Sequence, residues 1–254
     1  MQEDKEISEE VCEEEKQSFV EHLLELRGCL LKAFLGWAVG AVIAYILSFK
    51  LIQVFLYPLF KAIPHENTIY FRTFPEVFST YLKLAIIIGF ILASPYIFYQ
   101  LWQFIAPGLY PHEKKWVKSA VILTSFSFII GDLVAYFLFL PYLLRFLYSF
   151  GERFLVFKPF LTEYINFLLK FFLFAGTIFQ LPAFMLLLAK LDLVTIDQFK
   201  RFRPYAIILA FVIAAVVTGG TDPLTQILIA LPLTLLYEVG IILIRISKIK
   251  SARR

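Results

Sequence analysis

The chain has 254 residues and a formal net charge of +4; it is 60% hydrophobic, 18% aromatic and only 17% charged, with a mean hydropathy of +0.77. Soluble domains sit near 45–50% apolar with about a quarter charged, so these values exclude an ordinary water-soluble globule and equally exclude a disordered chain. Repeated apolar runs of roughly 18–20 residues point instead to a membrane protein with about six spans.

Residues 1–18 form an acidic tail expected to be poorly ordered; Glu3, Asp4, Glu6, Glu9, Glu10, Glu13, Glu14 and Glu15 dominate it. It has neither the basic n-region nor the apolar h-region of a signal peptide, so an N-terminus that stays in the cytoplasm is the simpler assumption. Residues 19–247 read as the transmembrane domain and 248–254 as a basic tail. Phe19, Leu23, Leu26 and Leu30 recur at helical spacing and lead into a first apolar run at 29–49, interrupted only by Lys32. A loop at 50–75 follows, broken by Pro58, Pro64 and Pro75; within it Leu51, Ile52, Phe55, Leu56, Leu59 and Phe60 mark one helical face expected to lie at the membrane interface. The second run is 84–106, with Pro95 inside it. The third, 116–144, is about 29 residues or roughly 43 Å as a helix, longer than a hydrocarbon core of about 30 Å.

A loop is expected over 145–162, then a fourth run at 171–189 carrying Gln180 and Pro182, then a polar link at 192–203. The fifth run, 204–218, is only about 15 residues or roughly 22 Å, which suggests a thinned membrane beside it. A turn at 219–223 leads to the sixth run, 227–244. Pro95, Pro141, Pro182 and Pro232 interrupt spans, and kinked helices of this kind build a concave bundle. With six spans both termini share one side. From Lys16 onward the loops on that side and the termini carry fifteen Lys and Arg, among them Lys114, Lys115, Lys118, Lys190, Lys200, Arg201 and Arg203; the opposite side carries eight. The positive-inside rule therefore places both termini in the cytoplasm.

Enzyme chemistry finds no support. His22, His65 and His112 are far apart, Cys12 and Cys29 are read as unpaired thiols, and no metal, P-loop or nucleophile-elbow motif is present. No cofactor and no nucleic acid partner is expected. The remaining classes are transporter, channel, receptor and assembly scaffold. The polar groups to weigh are Asp132, Gln180 and Glu238 within the runs and Asp222 at the last turn, since burying such groups in a bilayer costs several kcal/mol. Each has a local reading beside the functional one. Glu238 has Arg245 as a sequence-local partner, Gln180 sits where Pro182 frees backbone carbonyls, Asp222 is an ordinary turn residue, and Asp132 requires a partner on another helix. A proton- or ion-coupled solute transporter is the alternative reading, although no corresponding pair of broken helices marks two halves.

Two stretches are more specific. One is His22-Leu23-Leu24-Glu25-Leu26-Arg27. The other runs from Ser94-Pro95-Tyr96 through Phe104-Ile105-Ala106-Pro107-Gly108-Leu109-Tyr110-Pro111-His112-Glu113-Lys114-Lys115. With Arg203-Pro204-Tyr205, the segment 222–226, Ala230-Leu231-Pro232 and Tyr237-Glu238-Val239-Gly240, they resemble the TatC family, the multi-spanning subunit of the twin-arginine protein translocase, over about residues 19–247. The resemblance implies an all-α membrane protein of six transmembrane helices with both termini cytoplasmic. It further implies a receptor for folded cargo bearing twin-arginine signal peptides, acting with the single-span subunits TatA and TatB and with further copies of itself, and powered by the proton motive force. Glu25 and Glu113 match the family's acidic positions associated with twin-arginine recognition, and Phe104 the aromatic position beside them.

Three departures stand out. The family usually carries Glu where this chain has Gln180, an amide that keeps hydrogen bonding but cannot ionise. The turn at 218–222 differs from the family's Thr-Pro-rich turn. Asp132 occupies a place where an apolar residue is expected, so the resemblance gives it no role.

Overall fold

The computed structural model describes residues 3–63, 68–108, 110, 114–151, 158–218 and 223–252. Its regular structure is helical, apart from one isolated bridge between Tyr70 and Phe160. The helices are α1 (Glu3–Ile46), α2 (Ser48–Ala62), α3 (Phe74–Ile105), α4 (Val117–Val134), α5 (Leu140–Gly151), α6 (Leu161–Ile178), α7 (Gln180–Lys190), α8 (Ile196–Thr218) and α9 (Pro223–Ala252). Among the described residues five stretches are long and apolar enough to cross a membrane: His22–Ile46, Phe74–Gly108, Val117–Ser149, Leu161–Lys190 and Ile229–Ser247. The short fifth run lies in α8, and the turn at 219–222 falls outside the described residues.

Successive connections fall at two ends of the bundle. At the near face His22 of α1 meets Phe104 of α3, Lys190 of α7 covers Trp116, and Tyr237 of α9 donates its hydroxyl to the Phe199 carbonyl of α8 at 2.7 Å. At the far face the segment before α3 is clasped to the segment before α6. Tyr70 N–H donates to the Pro159 carbonyl at 2.9 Å, Leu161 N–H to the Tyr70 carbonyl at 2.8 Å, and the Arg72 guanidinium both pairs with Glu163 and lies over the Phe160 ring. Local sequence sets the starts of the helices there and at α8. Thr73 and Glu76 form a capping box, the Glu76 carboxylate accepting from the Arg72 and Thr73 N–H groups at 2.6 and 3.1 Å. Thr195 and Gln198 do the same for α8. This is why the polar segment expected as a link at 192–203 is helical from Ile196. Before it, Asp192 ends α7 at φ 54°, and Leu193 N–H closes back onto the Leu188 carbonyl at 3.1 Å. That is a Schellman stop, completed by a residue type that tolerates the left-handed region.

Two other expectations are corrected. The stretch expected as a loop after the first run is instead helical over α2, and its apolar face packs on protein. Ile52, Phe55 and Leu59 are buried in the largest core cluster with Leu84, Ile88, Leu140, Ile165, Leu168 and Phe172. The residues expected as a loop from 145 remain helical to Gly151. A five-residue π-helical turn at Ala135–Phe139 joins α4 to α5. It comes immediately before Pro141, whose ring would crowd the Phe137 carbonyl of a regular α-helix, so the chain widens by one residue per turn instead of breaking.

Two prolines account for side-chain hydrogen bonds to the backbone. Each removes a donor to the carbonyl four residues earlier. Pro58 frees the Val54 carbonyl, which accepts the Tyr136 hydroxyl at 2.8 Å. Pro95 frees the Ile91 carbonyl, which accepts Ser94 Oγ–H at 2.7 Å. Side chains thus satisfy backbone groups that lipid cannot.

Close helix contacts are made at glycines. A Cβ on Gly89 of α3 would stand 2.4 Å from the backbone N and Cα of Ala41, and one on Gly40 of α1 would stand 2.6 Å from the Gly89 carbonyl oxygen. Backbone therefore touches backbone where α1 crosses α3, the small-residue packing that membrane helices favour. Away from this seam α1 exposes Leu31, Leu35, Val39, Val42 and Ile46, and α8 exposes Ile208, Val212 and Val216. Continuous apolar stripes of this extent are stable against hydrocarbon and not against water.

Candidate functional site

Of the three residues singled out for recognition, two can be placed. Glu25 and His22 stand one turn apart on α1, and the His22 ring stacks on Phe104 at the end of α3, centroids 4.5 Å apart and planes 21° apart. His22 Nδ1 lies 3.7 Å from Glu25 Oε2, and both side chains are about half exposed, 48% and 51%. The carboxylate is thus open to solvent yet steadied by a ring that is itself packed on an aromatic face. Glu113 lies outside the described residues. Arg27, two residues on from Glu25, forms no ion pair with it among the described residues. It heads an apolar groove of about 570 Å³, walled by Leu26, Leu30, Phe34, Trp37 and Phe90, that descends between α1 and α3. The Trp37 indole N–H fixes that wall by donating to the Ile86 carbonyl at 2.8 Å. From sequence His22 stands only as the first residue of the stretch around Glu25, with no role of its own. Its i, i+3 spacing to Glu25 was the available signal.

The embedded polar groups do not converge on one site. Glu238 of α9 pairs with Arg203 of α8 at 2.7 Å, not with Arg245 of its own helix, because tertiary packing brings the two helices side by side. Both partners are 44% exposed at the surface of the bundle. Asp222 lies outside the described residues. Gln180 is buried where α6 breaks into α7 at Phe179, and its amide N–H donates to the Thr124 carbonyl of α4 at 3.0 Å. Its hydrogen bond therefore crosses to another helix instead of serving the carbonyl freed by Pro182. Ser127 Oγ–H, also from α4, donates to the Phe179 carbonyl at 2.8 Å, and Thr124 Oγ accepts the Trp102 indole N–H at 3.3 Å. The helix break is thus stitched to α4 by polar contacts.

Asp132, also on α4, is buried, and neither carboxylate oxygen has a hydrogen-bond partner among the described residues. The partner helix that its position seemed to require supplies none there. An unmatched buried polar group costs about 1–3 kcal/mol. Asp132→Leu should accordingly raise the thermal unfolding midpoint in detergent, by about 2–4 °C for each kcal/mol recovered. A lowered midpoint would mean that the carboxyl is held by groups beyond those described. Among the described residues no group of three His, Cys, Asp or Glu side chains is placed to hold a metal ion, and Cys29 is a free thiol.

The chain is similar to known proteins along most of its length. Residues 21–232 match the family described as TatC, Sec-independent protein translocase protein. A Sec-independent protein translocase protein TatC of Desulforapulum autotrophicum is 40% identical over 230 residues, which cover 91% of this chain and 85% of that one. The TatC of Escherichia coli is 30% identical over 241 residues, covering 95% and 93%. A crystal structure of a twin-arginine translocase receptor, TatC, superposes with a TM-score of 0.76 at 35% identity, covering 89% of this chain and 99% of that one.

Proposed function

We propose a receptor role for this chain, which belongs to the TatC family of Sec-independent protein translocase proteins: it binds the twin-arginine signal peptides of folded proteins and organises their export across the membrane. The observation that carries the reading is the solvent-open carboxylate of Glu25, held by the His22–Phe104 stack at the head of an apolar groove. A guanidinium prefers carboxylate oxygens in bidentate geometry, and an apolar segment following the arginines would favour an apolar wall. Glu113, on the short connection after α3, supplies the second carboxylate of the site and Phe104 its aromatic floor.

In this reading the near face is cytoplasmic, six spans place both termini there, and the kinked helices enclose a concave face. The single-span subunits TatA and TatB, further copies of this chain and the proton motive force complete the working complex. The excess of Lys and Arg on the near-face loops supports the orientation. With Cys12 and Cys29 replaced, a cysteine introduced at His65 should react with an impermeant reagent added outside the cell, whereas one at Asp197 should react only after the membrane is opened. The reverse pattern would overturn the orientation. The receptor role itself is tested by titrating the purified chain with a fluorescent twin-arginine signal peptide against the same peptide carrying paired lysines. Equal affinity for the two peptides would remove the basis of the assignment.

A further inference from the structure

A second groove runs down the other side of the α1–α3 seam. It measures about 450 Å³ and is walled by Leu35, Val39 and Ile43 of α1 and Leu92 of α3, with Lys32 at its upper end and Tyr96 beside it. The seam is narrow because a Cβ at Gly36 would meet the Tyr96 ring at 2.4 Å, so the tyrosine lies directly against α1 one turn below Lys32. Lys32 has no hydrogen bond or ion pair among the described residues, and Arg27, the other cation of this stretch, belongs to the opposite groove.

Depth makes that lysine informative. If α1 leaves the hydrocarbon at its end, Ile46, the Cα of Lys32 is about 21 Å from that boundary and so about 9 Å inside a core of about 30 Å. Its four-carbon stem can carry the ammonium toward the interface, but an ammonium at this level still favours an anion drawn down to meet it. From Lys32 to Ile43 the groove descends about 16 Å, roughly one leaflet. The geometry points to a bound anionic phospholipid of the near-face leaflet, its phosphate at Lys32 and the Tyr96 hydroxyl and one acyl chain laid along Leu35, Val39, Ile43 and Leu92. The occupant is anionic because a zwitterionic lipid carries its own cation beside the phosphate, which competes with Lys32. The site is independent of signal-peptide binding, which uses the opposite groove.

Delipidated chain in detergent, titrated with phosphatidylglycerol or with phosphatidylcholine of the same acyl chains and read by native mass spectrometry, tests this. Wild type should retain phosphatidylglycerol preferentially. Lys32→Gln should lose about fivefold in phosphatidylglycerol affinity, the usual worth of one basic residue at an anionic surface, and Lys32→Glu more. Val39→Trp should fill the groove and reduce both lipids, while Lys118→Gln, another near-face cation, should change neither. Equal retention of the two lipids by wild type, or an undiminished preference in Lys32→Gln, overturns the proposal. So does efficient disulfide formation between Val39→Cys chains in phosphatidylglycerol nanodiscs, which would assign the groove to a second copy of the chain.

Discussion

Glu25→Ala is expected to weaken binding of a twin-arginine signal peptide about tenfold, and Glu113→Lys to abolish it. A charge-assisted hydrogen bond from a guanidinium is worth roughly 1.5–3 kcal/mol, and about 1.4 kcal/mol is a factor of ten. An exposed pair would be worth less, about 0–1 kcal/mol, so the expected size depends on the ligand partly covering the carboxylate. The structure raises the expectation for Glu25. Arg27, two residues on in α1, does not engage its carboxylate; the group beside that carboxylate among the described residues is the His22 ring, and Arg27 belongs to a groove below. His22→Ala should lower affinity as well, since the ring that steadies Glu25 is gone, whereas His22→Phe should keep the stack on Phe104 and most of the binding. None of these changes touches the buried core, so all variants should insert and purify as wild type. Titration with twin-arginine and twin-lysine peptides is the measurement. Unchanged affinity in both Glu25→Ala and Glu113→Lys would sink the assignment.

The second large effect concerns the fold. Gly89→Leu should prevent recovery of a monodisperse protein, and Gly89→Ala alone should cost about 1–3 kcal/mol or more. Every atom that a new Cβ would meet there, at 2.4–2.7 Å, is backbone of α1, which cannot rotate aside as a side chain could. Accommodating it means moving α1 off α3. That would disturb the pairing of His22 with Phe104 and both grooves along the seam. Gly28→Ala is the matched control. A Cβ there meets nothing within 4 Å, and replacing a helical glycine by alanine typically gains about 0.5–1 kcal/mol. Thermal unfolding in detergent compares the two, and a Gly89→Ala midpoint equal to wild type would show that the helices do not meet as described.

The class of molecule is legible in the residues alone. Apolar runs long enough to cross a bilayer survive any arrangement of the helices, because the hydrocarbon acts on each run separately. The sequence also carried the family, through contiguous motifs around Glu25 and around Phe104 and Glu113 that need no tertiary contact to be read. What it could not carry was anything fixed by which helices touch. The face of 51–60 is amphipathic whether it meets lipid or protein; only its packing with Phe172 and Leu140, and the repair of the Val54 carbonyl by Tyr136, show that it meets protein. Glu238 has a basic residue two turns away in its own helix, yet its carboxylate reaches across to Arg203 because α8 and α9 pack together. Gln180 looked like a local remedy for a proline and is instead a bond to α4. His22 was one of three scattered histidines until α1 and α3, brought into backbone contact at Gly40 and Gly89, set its ring on Phe104 beside Glu25. In each case the deciding partner is remote in sequence, and side-chain polarity and spacing along one helix hold no information about it. Only the packing of that helix against another selects the partner.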